Sequence, residues 1–167
     1  MEAAGGAVSL KVNLGCGHDV RPGWINIDRF PQAGALRANI DEGIPIDDGV
    51  ADYVLASHVL EHVQDFAMVW REIHRILRVG GILEVHVPYG FNTDPYHVRY
   101  FDRRSVERLL AGEEHAQPQD VREFRLVRMG AHNRHGFPRW HLWRYLGLDL
   151  APFRRGGELE FVLEKIA

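Results

Sequence analysis

The sequence predicts an α/β sandwich built on a mostly parallel sheet, and three observations carry that prediction. Apolar positions alternate along the chain between short strand-like runs and helix-spaced segments. Two glycines, Gly15 and Gly17, stand one residue apart directly after the first strand-like run, where a strand exit needs a sharp turn and a ligand needs bare backbone. A second strand-like run, Trp24-Ile25-Asn26-Ile27-Asp28, ends in a carboxylate.

Taken in order, Leu10 to Leu14 and Ile25 to Asp28 read as the first two strands. Asp28 arrives eleven residues after Gly17, with Pro22 and Gly23 between, so a full crossover helix has no room and the first crossover is shortened. Tyr53 to Ala56 and Ile82 to Val87 read as two more strands. Between them Phe66, Val69, Trp70, Ile73, Ile76 and Leu77 recur at helical spacing, with Asp65 as N-cap and Gly80 as C-terminal stop. A shorter helix follows Asp102, burying Val106, Leu109 and Leu110. From Glu158 to Ile166, Leu159, Phe161 and Leu163 alternate with Glu160, Val162 and Glu164, the pattern of a half-buried antiparallel strand pairing with Phe124 to Met129.

Composition bounds the class. A chain of 167 residues, 46% hydrophobic and 26% charged, with net charge −3, reads as one globular domain over residues 1–167, with residues 1–8 a flexible N-terminus. No apolar run approaches the ~20 residues of a membrane span. Met1 to Gly6 lacks the basic start and apolar core of a signal peptide, and a single cysteine makes no internal disulfide, so the expected setting is cytoplasmic. The dinucleotide fingerprint is incomplete, since Val20 stands where the third glycine belongs, and no lysine and hydroxyl pair follows the glycines to make a triphosphate loop. Ten histidines include His97, His132, His135 and His141, but none falls in a familiar zinc spacing, so no metal is expected. Cys16 has no activating partner in the pattern and reads as a loop residue rather than a nucleophile.

The motifs resemble those of the class I S-adenosylmethionine-dependent methyltransferases, in particular small bacterial proteins with an Asn-Leu-Gly-Cys-Gly first motif, here Asn13 to Gly17. The resemblance runs through Ile44-Pro45-Ile46-Asp47-Asp48-Gly49-Val50-Ala51-Asp52-Tyr53-Val54, through His58-Val59-Leu60-Glu61-His62-Val63, and through Glu72 to Gly81 into Val87-Pro88. It ends in Asp94-Pro95-Tyr96-His97-Val98-Arg99-Tyr100-Phe101 and covers roughly residues 10 to 112 in the family's order. It implies a Rossmann-like sandwich of the seven-stranded type with an antiparallel C-terminal strand, and S-adenosylmethionine as cofactor.

The same resemblance implies a site. Asn13, Gly15, Cys16 and Gly17 form the cofactor loop, and Asp28 accepts from the ribose hydroxyls. Asn39, in place of the family's aspartate, accepts from the adenine amino group while Ile40 covers the ring, with Asp41 the alternative acceptor. Ser57 and His58 line the methionine moiety and the sulfonium; Glu61 and His62 read as loop anchors. His97, in a proline-flanked loop after the fifth strand, serves either as the base that deprotonates the acceptor or as a loop-fixing residue; His58 is the other catalytic candidate. Tyr89, His97, Arg139 and Trp140 are the expected acceptor contacts.

Charge is segregated. Val121 to Gly157 holds eight arginines against Glu123 and Asp149, a net +6, with Trp140, Trp143 and Tyr145 among Arg139 and Arg144. Residues 130–157 are read as an acceptor-side insertion or lid, facing an anionic or aromatic small molecule methylated at oxygen or nitrogen. Two alternatives stand beside this: a non-catalytic cofactor-binding or scaffold protein, and a methyltransferase acting on nucleic acid, for which one basic patch on a net acidic chain is a modest footprint. Trp140, Trp143 and Leu146 equally fit a helix docked on the sheet or at a homodimer interface.

Overall fold

The computed structural model describes residues 9–89, 94–111, 123–133 and 157–167. Seven strands form one sheet: β1 (Lys11–Leu14), β2 (Ile25–Asp28), β3 (Leu36–Arg37), β4 (Ala51–Ser57), β5 (Leu77–Tyr89), β6 (Phe124–Asn133) and β7 (Gly157–Lys165), in the order β3-β2-β1-β4-β5-β7-β6. Neighbours from β3 to β5 run parallel, and β7 runs antiparallel between β5 and β6. The expected Rossmann-like order with one antiparallel C-terminal strand is therefore what the chain adopts. A 3-10 helix, Ile40–Glu42, precedes β4; α1 (Phe66–Ile76) links β4 to β5 and α2 (Arg103–Ala111) follows β5. Among the described residues no helix is long and apolar enough to cross a membrane. The basic aromatic segment with Arg139, Trp140, Trp143 and Tyr145, the imidazoles of His135 and His141, and residues 1–8 lie outside the described residues.

The core lies on one face of the sheet. Val12, Leu14, Val54, Ala56, Leu83, Val85, Val87, Leu159, Phe161 and Leu163 are all fully buried, and they meet Val69, Trp70, Ile73 and Ile76 of α1 and Val106 of α2. Trp70 stacks on Phe66 and meets the edge of Phe124, with ring centroids 5.4 and 5.3 Å away. Alternate residues of β5, β6 and β7 carry charge instead: His86 pairs with Glu84 at 2.7 Å and Arg128 with Glu160 at 2.5 Å.

Asp65 caps α1 as expected, its carboxylate accepting from the Met68 amide at 2.9 Å. The C-terminal stop differs. Leu77, not Gly80, ends the helix, adopting extended backbone (φ −70°, ψ 135°) and pairing with Ala51 of β4, so β5 begins five residues before Ile82. Leu77 is fully buried, and a place in the ladder and core outweighs another helical turn. Gly80 (φ 76°) instead turns the strand's early part, and Gly81 fits where a Cβ would come within 2.8 Å of the Arg78 carbonyl oxygen.

A loop replaces the first crossover helix. Asn13 and Asn26 are direct neighbours on β1 and β2, both nearly inaccessible. The Asn13 amide donates to the Asp19 carbonyl at 2.7 Å and to Asn26 Oδ1 at 3.2 Å. Asn26 accepts from the Arg21 amide and donates to the carbonyls of Arg21 and Trp24. Two side-chain amides thus satisfy backbone groups that a helix would have satisfied internally.

The segment leading into β4 is clamped to α1 by Arg75. Its guanidinium donates to both Glu72 oxygens, to the carbonyls of Ile44 and Ile46, and to Asp48, using all five donors. Glu72 also accepts from the Ile44 amide. Arg75 holds the Glu72 carboxyl below its ordinary value, so the stabilisation this pair provides is present above the unfolded-state value near 4.5 and is lost as pH falls through the lower folded value. Arg75→Met should destabilise the protein by about 2 to 3 kcal/mol, because it removes two of the three donors to the partly buried Glu72 carboxylate and the donor to the Ile46 carbonyl. Urea unfolding at neutral pH checks the magnitude. The gap between variant and wild type should close on acidification.

Candidate functional site

An open cleft lies at the carboxyl ends of β1 and β2, where ligands of open α/β sheets bind. Gly15, Asp28, Asn39, Ile40 and Asp41 line it, five of the residues expected from the sequence, together with Arg29, Ala38, Val59, His62 and Val63. Asn13, Cys16, Gly17, Ser57 and His58 do not line it. Asn13 is committed to the loop just described. Cys16 is buried, and burial together with the charge of Asp28 raises its thiol pKa, the opposite of what a nucleophile needs.

Each lining residue is fixed by a specific local cause. Gly15 has φ 62°, and a Cβ there would stand 2.4 Å from Cγ2 of Val59, so the loop after β4 packs directly on the glycine backbone. Gly17, at φ 49° with open space around it, donates its amide to Asp28 Oδ2 at 2.8 Å. Asp28 Oδ1 accepts from the Phe30 amide at 2.7 Å. Asp28 therefore ties the glycine loop to the end of β2, and each oxygen keeps a lone pair for a ligand hydroxyl.

The opposite wall is the 3-10 helix. Asn39 caps it, accepting from the Asp41 amide at 3.3 Å and donating to Glu42 at 2.8 Å. Asp41 Oδ1 accepts from the amides of Gln64 and Asp65, which joins this wall to the start of α1. Ile40 is buried and adds an apolar surface.

Beyond the end of β4 the chain makes a tight turn in which His58 takes φ 52°, a conformation costing a non-glycine residue about 1 to 2 kcal/mol. Its amide donates to the His86 carbonyl at 2.8 Å. Its ring lies between two carboxylates, Nδ1 3.5 Å from Glu61 and Nε2 3.0 Å from Glu158. The segment after β5 folds back on this turn: the Val98 amide donates to the Glu61 carbonyl at 3.0 Å, and Arg99 donates to the carbonyls of Val63 and Gln64. That brings His97 against His62, their rings edge to face with centroids 4.7 Å apart. Tyr89 ends β5, bridging to Phe101. Sequence reasoning placed Glu61 and His62 as anchors only; their meeting with His97 depends on the Arg99 tether, which no local spacing signals.

Glu61 and Glu158 favour the protonated form of His58 and, against the opposing effect of burial, raise its pKa above the ordinary 6.5. The stability this contributes is fully present below that unfolded value and is lost as pH rises through the folded one. An NMR titration of the His58 ring should therefore show a midpoint above 6.5 in the wild type and a lower one in Glu158→Gln.

Residues 12–85 match the family model for methyltransferase domains. Two Mycobacterium tuberculosis proteins carrying the name S-adenosylmethionine-dependent methyltransferase are each 33% identical over 90 residues, 49% of this chain and 32% of theirs. The chain spans about a third of the length of the curated relatives it matches. Among solved structures, a methyltransferase of Bacillus halodurans aligns with a TM-score of 0.66 at 12% identity, covering 96% of this chain and 94% of that one. A Haloferax volcanii methyltransferase solved with the Trm112 activator aligns at 0.62 and 17% identity, covering 96% and 84%. The Burkholderia thailandensis 1,6-didemethyltoxoflavin-N1-methyltransferase, solved with 1,6-didemethyltoxoflavin and S-adenosylhomocysteine, aligns at 0.62 and 14% identity, covering 95% and 72%. The strand order, the glycine loop answered by Asp28 and the match over residues 12–85 agree in making the chain similar to the class I S-adenosylmethionine-dependent methyltransferases.

Proposed function

We propose that this chain binds S-adenosylmethionine in the cleft at the ends of β1 and β2 and transfers its methyl group to an oxygen or nitrogen of a small-molecule acceptor. The observation that carries the reading is the donor and acceptor set of the cleft. Asp28 offers carboxylate lone pairs to a ribose diol, Asn39 and Asp41 offer oxygens to an amino group, and Ile40 and Val59 offer apolar surface to a planar base. When bound, the cofactor supplies a methyl group on a positively charged sulfur that leaves as a neutral thioether. The protein's own task is then to hold the acceptor in line and manage its proton.

His58 and His97 are the proposed proton acceptors. His58 stands at the end of β4 between two carboxylates, and His97 packs against His62, which lines the cleft. An anionic or aromatic acceptor is supported by the net +6 of Val121 to Gly157, with Tyr89, Arg139 and Trp140 as its proposed contacts.

Calorimetric titration with S-adenosylmethionine and S-adenosylhomocysteine, with NAD and ATP as controls, tests the cofactor. Binding of the first pair alone is expected. Formation of S-adenosylhomocysteine with a panel of anionic and aromatic acceptors tests the transfer, and no turnover across that panel would count against the acceptor class. Asp28→Ala should weaken cofactor binding by about 1 to 3 kcal/mol, since it removes ribose acceptors and releases the Gly17 amide. Gly15→Ala should weaken it as well, through the collision with Val59, and the accompanying fall in thermal midpoint separates it from a pure contact effect.

A further inference from the structure

Glu61 is 1% exposed, and neither of its carboxylate oxygens accepts a hydrogen bond among the described residues. Its one cationic neighbour there is His58 Nδ1, at 3.5 Å. Taking a carboxylate out of water without donors costs several kcal/mol, so a buried bare one marks a place where something positive belongs. His97 repeats the anomaly. Its side chain is 7% exposed, its Nδ1 is buried without a partner, and its Nε2 faces Asp94 at 3.5 Å. His62 completes the group, with Nδ1 3.2 Å from the Tyr96 carbonyl oxygen.

These contacts fix the tautomers. His62 Nδ1 carries the proton it donates to a carbonyl, so Nε2 presents a lone pair; His97 Nε2 faces a carboxylate, so Nδ1 presents one. A carbonyl or carboxylate behind the far nitrogen is how metal-bound histidines are held and made more basic. One ligand atom from each of Glu61, His62 and His97 lies within 4.8 Å of the others. Atoms about 2.1 Å from a common ion at tetrahedral angles are about 3.4 Å apart, so side-chain rotation that moves the ligand atoms by up to about an ångström closes the set.

We propose that Glu61, His62 and His97 bind one divalent transition-metal ion beside the cofactor cleft. Two imidazoles and one carboxylate suit borderline ions from manganese to zinc and leave coordination positions open. His62 also lines the cleft, so those open positions are within reach of a ligand in it. An acceptor hydroxyl or carboxylate bound to the ion would be oriented and, for a hydroxyl, would lose its proton more readily. This last role rests on the methyl-transfer reading, and with the ion bound the proton acceptor there is His58 rather than His97; metal binding itself does not rest on that reading. The histidine pattern of the sequence pointed away from metal because the three ligands come from two segments joined only by tertiary contacts.

The test uses tag-free, chelator-stripped protein titrated by calorimetry with manganese, cobalt and zinc chlorides, with the visible spectrum of the cobalt form as a second readout. One ion per chain is expected for at least one metal, weakened at least about tenfold in Glu61→Gln and in His62→Ala. His62 is exposed, so its variant keeps the result readable where the buried Glu61 change unfolds the chain. Absence of binding to wild type, or wild-type affinity retained in the folded His62→Ala variant, overturns the site. S-adenosylmethionine binding is measured separately in chelator. Ion binding without cofactor binding removes the methyl-transfer reading and leaves the site standing, and the reverse pattern removes the site alone.

Discussion

The amide pair between Asn13 and Asn26 is the constraint on which the cofactor side of the molecule depends. Two adjacent parallel strands normally need a helix between them, because a right-handed crossover must return along the sheet and satisfy its own backbone on the way. Here ten residues make the return, and their polar groups would face an uncovered sheet without partners. Asn13 and Asn26, side by side in the ladder, supply both donors and acceptors to Asp19, Arg21 and Trp24. The rest of the site follows: with the loop fixed, Gly15 and Gly17 stand at the end of β1, and Asp28 reaches the Gly17 amide.

The cleft is held open by groups that bind each other before they bind anything else. Asp28 and Asp41 each engage backbone amides, and Asn39 is clasped between Asp41 and Glu42. Such side chains lose little freedom when a ligand arrives, which is the main advantage of a preformed pocket. The cluster behind His62 has the opposite character. Around His58, Glu61, His62 and His97 the polar atoms are only partly satisfied and the backbone at His58 is strained, so that cluster stores the unfavourable energy that the cleft lining avoids.

How much of this was legible in the sequence varies by the range of the interaction involved. The second strand was read to the residue, because Ile25, Ile27 and Asp28 state both a period and an end. The capping of α1 by Asp65 was equally local. The helix end was misplaced because the competing partner of Leu77 is Ala51, on a strand formed from another part of the chain. Asn13 was assigned to the cofactor on its motif position, whereas its partners Asp19 and Asn26 become visible only when the strands pair. The pairing of His62 with His97 across 35 positions is likewise a product of the tether through Arg99. Periodicity and motif order report what a residue does with its neighbours in sequence; the cluster of His58, Glu61, His62 and His97 is made of residues whose neighbours are distant.

The place of β7 has a kinetic meaning. It follows β6 in the chain yet lies between β5 and β6, and β6 pairs with no other strand among those described. Strands β1 to β5 can therefore assemble in order with their helix, while β6 joins the sheet only through β7. When β7 docks on β5, the fully buried Leu159, Phe161 and Leu163 close the core. That step joins residues far apart in the chain and carries the largest loop-closure entropy, so it is the natural rate-limiting stage of folding. Before it occurs, β5 presents an open edge to other chains, and the unfinished protein is most prone to aggregation at that edge.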